Sequence, residues 1–218
     1  MKKLWILTVL VGMMAVTGAQ ANTISAFQTT GRSYGDGGEF TAKITGSSET
    51  FQTFCLEVFN TFNPGADYAF TVGQTTHNNP AGASPLKLGT AYLVNLWANG
   101  SLPGYTDNSK TPSEHAGELQ AALWYYQGQG YNPASDFTQF GLPMSSGSFD
   151  HTKNQYVQLI DNLPAPFNPF AASDGAYGVF VYQLENGQDW VGVPDGGLTA
   201  MLLGMSMLGL GWVRRMVK

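Results

Sequence analysis

Cys55 is the only cysteine among 218 residues. It has no partner in the chain for a disulfide, which leaves a packed apolar side chain, an intermolecular partner or a reactive thiol. Free cysteines are among the most buried residue types, and this one stands in a strongly apolar run. From Phe51 to Phe62 the odd positions include Phe51, Cys55 and Phe59, and the even positions include Phe54, Leu56, Val58 and Phe62. Apolar residues on both faces predict a central strand. Glu57, two residues from Cys55, is expected on the same strand face, where it could orient the thiol, accept its proton or bond to a backbone group.

Gln120 is the second position of interest. Thr111-Pro112-Ser113-Glu114 reads as a capping box with proline at the first helical position, opening a helix to about Gln127. With Ala116 at zero on a wheel of about 100° per residue, Leu119 falls near 300°, Leu123 near 340°, Trp124 near 80° and Gln120 near 40°. The carboxamide therefore points into the apolar arc. Glu114, Glu118 and Tyr125 mark a wetter side where a glutamine would be cheaper. A buried amide needs hydrogen-bond partners, such as a strand edge, or a chemical purpose.

Phe54-Cys55-Leu56-Glu57 and Leu119-Gln120-Ala121-Ala122-Leu123-Trp124 resemble the two signatures of bacterial thioester domains. Those signatures are aromatic-Cys-aliphatic-acid on a strand and apolar-Gln-x-x-aliphatic-Trp on a helix, and the resemblance covers roughly Phe51 to Val193. It implies that the Cys55 sulfur and the Gln120 side chain join in an internal thioester with loss of ammonia. The thioester would store an activated acyl group until an amine on a surface protein or polymer attacks it. Aromatic bulk from Phe51, Phe54, Phe59, Trp124, Tyr125 and Tyr126 is expected to keep water away, with Phe54 and Trp124 the nearest shields. Such a protein is a single-use clamp rather than a turnover enzyme.

His115 falls about 140° from Gln120 on the wheel and is expected at the surface. His77 and His151 have no cysteine or histidine at ligand spacing, so no metal site and no cofactor are expected.

The elements that must position these residues follow from punctuation. The stretch from Asn22 to Gly46, rich in Gly, Ser and Thr, suggests surface strands such as Phe40-Thr41-Ala42-Lys43-Ile44. Ser84-Pro85 is expected to open a helix through Leu88, Tyr92, Leu93 and Leu96 that stops at Asn99-Gly100, and a short third helix is expected near Lys153 to Ile160. The segment from Asn132 to Ser148 reads as loop. Tyr177 to Leu184 and Asp189 to Val193 predict a hairpin around Asn186-Gly187 with a type I′ turn. Strands at both ends with helices between them predict an α+β domain, a β-sandwich or barrel-like antiparallel sheet with an inserted helical lobe.

The termini read as topology signals. Residues 1–21 combine Lys2 and Lys3, an apolar run and Ala19-Gln20-Ala21, the pattern of a signal peptide cleaved by signal peptidase. The expected body spans residues 22–192. Residues 198–213 carry no charge and precede Arg214 and Arg215 in a basic tail, residues 214–218. Such a run is about 24 Å of helix, marginal for a hydrocarbon core about 30 Å thick, and its basic flank predicts a transmembrane helix with a cytoplasmic end.

The motif Val193-Pro194-Asp195-Gly196-Gly197, followed by that apolar run and Arg214-Arg215, resembles the VPDGG variant of PEP-CTERM sorting signals. It implies processing by an exosortase and delivery to the cell surface or extracellular matrix. Between Asn22 and Val193 only five basic residues oppose fourteen carboxylates. An acidic body repels phosphate backbones, so nucleic acid is not an expected partner. The expectation is thus an exported, exosortase-sorted protein that attaches covalently to amines through Cys55 and Gln120. The alternative is a non-reactive structural or glycan-binding matrix protein with a buried cysteine.

Overall fold

In β1 (Thr23–Tyr34) and β2 (Gly37–Ile44), Ile24 lies opposite Ile44, Ala26 opposite Ala42 and Gln28 opposite Phe40. Ile24, Ala26, Phe40 and Ala42 are buried, whereas Phe27 on the other face is 55% exposed. Period-two alternation thus gives this hairpin one inward and one outward face. A computed structural model describes residues 23–34, 37–58, 60–77, 83–129 and 151–193. The signal segment, Pro194, Asp195, Gly196, Gly197, the 198–213 run, Arg214, Arg215, Phe59 and the 132–148 stretch lie outside the described residues.

β3 (Thr50–Cys55) and β4 (Tyr68–Gly73) are followed by a separate two-stranded ribbon, β5 (Thr75–Thr76) with β6 (Ser84–Pro85). β7 (Phe180–Leu184) and β8 (Trp190–Gly192) complete a closed antiparallel barrel in the order β1-β2-β3-β8-β7-β4. β4 returns to β1 with Thr23 opposite Ala69 and Ile24 opposite Tyr68. Closure decides between sandwich and barrel, and it leaves these strands no open sheet edge. Inside, Trp190 lies opposite both Cys55 and Tyr182, and all three are buried.

The expected strand from Phe51 to Phe62 stops at Cys55. The Leu56 N–H donates to the Asp189 carbonyl at 2.9 Å, and the Glu57 carboxylate accepts from Asn60 and from the Asp189 N–H. The Leu56 bond carries the pairing with β8 one residue further, and beyond it the Glu57 carboxylate bonds hold a chain that has left the strand. Its apolar residues reach the core from a loop instead, with the Phe62 ring 5.0 Å from Phe40 and 5.1 Å from Trp190. Length and composition alone could not separate these two routes to burial.

The terminal hairpin forms, but its turn is not type I′. Asn186 has φ +59°, Gly187 is not in the positive region, and Leu184 donates to Asp189 Oδ1 at 2.9 Å. An acidic side chain five residues ahead therefore closes a wider loop.

The helices α1 (Leu88–Ala98), α2 (Pro112–Gln127) and α3 (Gln155–Asp161) fall between β6 and β7, as an inserted helical lobe. α1 begins behind Lys87 rather than at Pro85, because Ser84 and Pro85 pair with Thr75 and Thr76. α2 has the predicted capping box: Thr111 N donates to Glu114 Oε2 at 2.7 Å and Glu114 N to Thr111 Oγ1 at 3.3 Å. Gly128, at φ +68°, ends it in the left-handed conformation that an L side chain resists. In α3, Asn154 Oδ1 accepts from the N–H groups of Tyr156 and Val157.

α2 packs on β1 and β2 on one side and on α1 and α3 on the other, so eleven of its sixteen residues are buried. Polar side chains on it must therefore find protein partners. Among the described residues no helix is long and apolar enough to cross a membrane.

Candidate functional site

Cys55 is the last residue of β3, and Gln120 lies midway along α2. The structure joins them through the main chain: Gln120 Nε2 donates to the Cys55 carbonyl at 2.7 Å, and the Cys55 N–H donates to Gln120 Oε1 at 3.2 Å. Cys55 is 0% exposed and Gln120 1%. The carboxamide thus occupies the position of a neighbouring strand's peptide group, at the residue where β3 ends. It satisfies two buried backbone groups and sets its own carbon beside the residue that carries the sulfur.

The thiol is kept neutral. Burial, and secondarily the charge of Glu57, push the Cys55 thiol well above its ordinary range. Glu57 is itself fully buried and lies beyond the strand end. Its Oε2 accepts from Asn60 Nδ2 at 2.8 Å and from the Asp189 N–H at 3.1 Å, its carbonyl accepts from Gln188 Nε2, and its Oε1 makes no hydrogen bond. Burial raises the Glu57 carboxyl, while its bonds to Asn60 and to the Asp189 N–H pull it back down. Of the roles expected for it, the structure displays bonding to the main chain.

Asp189 is buried and accepts from the His77 N–H at 2.8 Å and from the Leu184 N–H at 2.9 Å, and its Oδ1 lies 3.1 Å from Nδ1 of the His77 imidazole. The expected metal-free loop histidine is thus tied to an acidic cluster beside the cysteine. Among the described residues no group of three His, Cys, Asp or Glu side chains could hold a metal ion.

Trp124 lies one turn from Gln120 at a close approach of β2. A Cβ added at Gly37 would stand 3.1 Å from both Gln120 Cγ and the Trp124 ring, so only glycine fits here without displacement. A cavity of about 180 Å³ opens at this point, lined among others by Gly37, Phe40, Asn60, Phe62, Trp124 and Gln188.

The other aromatic shields are distributed differently from expectation. Strand alternation puts Phe54 on the face opposite Cys55, where its ring meets Trp97 of α1 edge-on at 4.8 Å. Phe51 stacks on Tyr182 at 5.1 Å. Tyr125 stacks on His151 at 5.0 Å, and Tyr126 donates to the Val157 carbonyl at 3.2 Å, so both serve the packing of the helical lobe.

His115 is not at the surface. It is 1% exposed, 3.3 Å from the Asp107 carboxylate, and its Nδ1 lies 3.4 Å from Gln155 Nε2. A wheel identifies the face opposite Gln120 but cannot show that the 102–110 loop and α3 cover that face.

Gln127 is a buried functional match that the sequence reading passed over. Its Nε2 donates to the Pro85 carbonyl at 2.9 Å, and the Lys87 N–H donates to its Oε1 at 3.1 Å. Seven residues after Gln120 it falls at about 20° on the wheel, in the same arc, and that spacing was the available signal.

Of the sorting residues, only Val193 lies among the described ones, directly after β8. No family model matches the chain, and no curated protein or solved structure is found similar to it.

Proposed function

We propose that this is an exported, exosortase-sorted protein of the cell surface or extracellular matrix that attaches covalently to amines through a Cys55–Gln120 thioester. The observation that carries the reading is the seating of the Gln120 carboxamide against the main chain of Cys55, in a dry site. The paired motifs and the order of sorting motif, apolar run and basic tail support it from the sequence.

The chemistry balances without a cofactor. The Cys55 sulfur attacks Gln120 Cδ, a C–S bond forms, the C–N bond breaks, and the thiol proton leaves with the amide nitrogen as ammonia. The Cys55 N–H, already directed at Oε1, would steady the negative charge that develops there. In the second step an amine attacks the same carbon, an amide forms, and the C–S bond breaks with return of a proton to sulfur. Burial of both partners protects the intermediate from hydrolysis. A buried neutral thiol makes the first step slow and faster as pH rises.

Methylamine tests the reading. Incubated with the purified full chain, it is expected to add to Gln120, mapped by peptide mass spectrometry, and to leave Cys55 newly alkylatable. Labelling absent from Gln120, or unchanged in Cys55→Ser, contradicts the proposal. The rival, a non-reactive matrix protein with a packed cysteine, is favoured by one observation: Gln127 makes the same kind of backbone clasp with no cysteine beside it.

A further inference from the structure

On the outer side of the barrel, between β1, β2, β3 and the C-terminal end of α1, lies an open cleft of about 560 Å³. Its volume is within the range of about 300–1,000 Å³ typical of small-molecule sites. Arg32 and Glu39 are the only charged side chains lining it among the described residues, so the cleft has a balanced charge.

Tyr105 donates to Glu39 Oε2 at 2.5 Å, and the Arg32 guanidinium stands 5.0 Å from the centre of the Tyr105 ring. These contacts fix three side chains relative to one another. They leave donors free, however: Arg32 Nη1 is 3.7 Å from Glu39 Oε2, beyond hydrogen-bond reach, and makes no hydrogen bond although that atom is buried. A buried guanidinium nitrogen without an acceptor is costly unless a ligand supplies one. Around this group stand the amides of Gln52 and Asn99 and the half-buried ring of Trp97.

We propose that this cleft binds a neutral polysaccharide segment, a sugar face lying on the half-buried Trp97 and its hydroxyls bonding Arg32, Glu39, Gln52 and Asn99. The charge balance decides the class. A phosphate or uronate would meet Glu39 beside the guanidinium, and an apolar ligand would leave Arg32 Nη1 without an acceptor. A vicinal diol can accept from the guanidinium and donate to the carboxylate at once, while the C–H face of its ring covers Trp97. The inference does not rest on the thioester: Cys55 and Gln120 do not line the cleft.

The test is isothermal titration of the full chain with four neutral tetramers, cellotetraose, maltotetraose, chitotetraose and mannotetraose, and with tetragalacturonate as the acidic control. At least one neutral tetramer is expected to bind, with tetragalacturonate at least tenfold weaker. Arg32→Met and Trp97→Ala should each weaken binding at least tenfold. Trp97 packs on Phe54, so Trp97→Ala is expected to lose stability; Arg32→Met keeps the Tyr105–Glu39 bond but removes the guanidinium beside that buried acid, so its folding is checked by circular dichroism before titration. Binding by none of the neutral tetramers overturns the proposal. So does tightest binding of the acidic one, or unchanged affinity in a folded Arg32→Met.

Discussion

Gln120 and Gln127 lie two turns apart on α2, are each 1% exposed, and each hold one backbone carbonyl and one backbone N–H of a facing segment. Gln127 bridges Pro85 and Lys87 across the start of α1, whereas Gln120 grips both groups of a single residue, and that residue carries the chain's cysteine. The pair separates structure from chemistry within one helix. A buried glutamine can serve by pinning backbone alone, as Gln127 does; the proposed reaction requires in addition the thiol that Cys55 carries.

The largest effect that could break this comparison is cross-linking. A thioester would close a loop between positions 65 residues apart, and a covalent closure of that size stabilises by roughly 4 kcal/mol in the chain-entropy account. Methylamine treatment is therefore expected to lower the unfolding free energy in urea by up to that amount, and to leave the stability of Cys55→Ala unchanged. Equal effects on both proteins would place the change elsewhere.

Next comes the clasp itself. Gln127→Ala leaves the Pro85 carbonyl and the Lys87 N–H without their partner, at about 1–3 kcal/mol for each buried group. A loss of about 2–6 kcal/mol is expected by denaturant titration, with no change in mass beyond that of the substitution. Gln120→Ala should lose at least as much and also abolish methylamine uptake.

A smaller effect sharpens the contrast between the neutral glutamines and the acid beside them. Burial raises the folded-state carboxyl of Glu57 above its unfolded value, so in the window between the two the folded protein holds the extra proton. Stability from this group is then present below the unfolded value and declines as pH rises through the folded one, with a slope of at most about 1.4 kcal/mol per pH unit. Melting curves of Glu57→Gln should lack that decline. The amide can still accept from Asn60 and Asp189, so the variant is expected to fold.

The mildest is Gly37→Ala. Its methyl would sit 3.1 Å from Gln120 Cγ and from the Trp124 ring, so the neighbours must shift by a few tenths of an ångström. A cost of about 1 kcal/mol is expected, together with slower uptake of methylamine, because the added methyl presses on the Gln120 side chain. Gln127 has no such neighbour, so the same variant should leave its clasp unaffected.

Local signals carried much of this arrangement. Thr111, Pro112 and Glu114 announced the start of α2, and the wheel placed Gln120 among apolar residues, because caps and helical spacing are encoded within a few positions. Most of the differences from expectation depended on distant partners. Asp189 widened the last hairpin through its carboxylate bond to Leu184, and its N–H bonds the Glu57 carboxylate where the chain leaves β3; no local pattern marks a residue that will do this. His115 is covered by Asp107 and Gln155 from loops and helices whose approach a single-helix projection omits. Phe54 matched its motif, yet strand alternation turned it toward Trp97 and away from the sulfur.

The most direct test is the intact mass of the purified chain under denaturing, nucleophile-free conditions, compared with Cys55→Ser. The account predicts that the parent is lighter than its sequence by one ammonia, beyond any removal of terminal segments, and that Cys55→Ser shows no such deficit. A parent mass equal to its sequence mass, with Cys55 a free thiol and Gln120 an intact carboxamide, contradicts the clamp and leaves Gln120 a second Gln127.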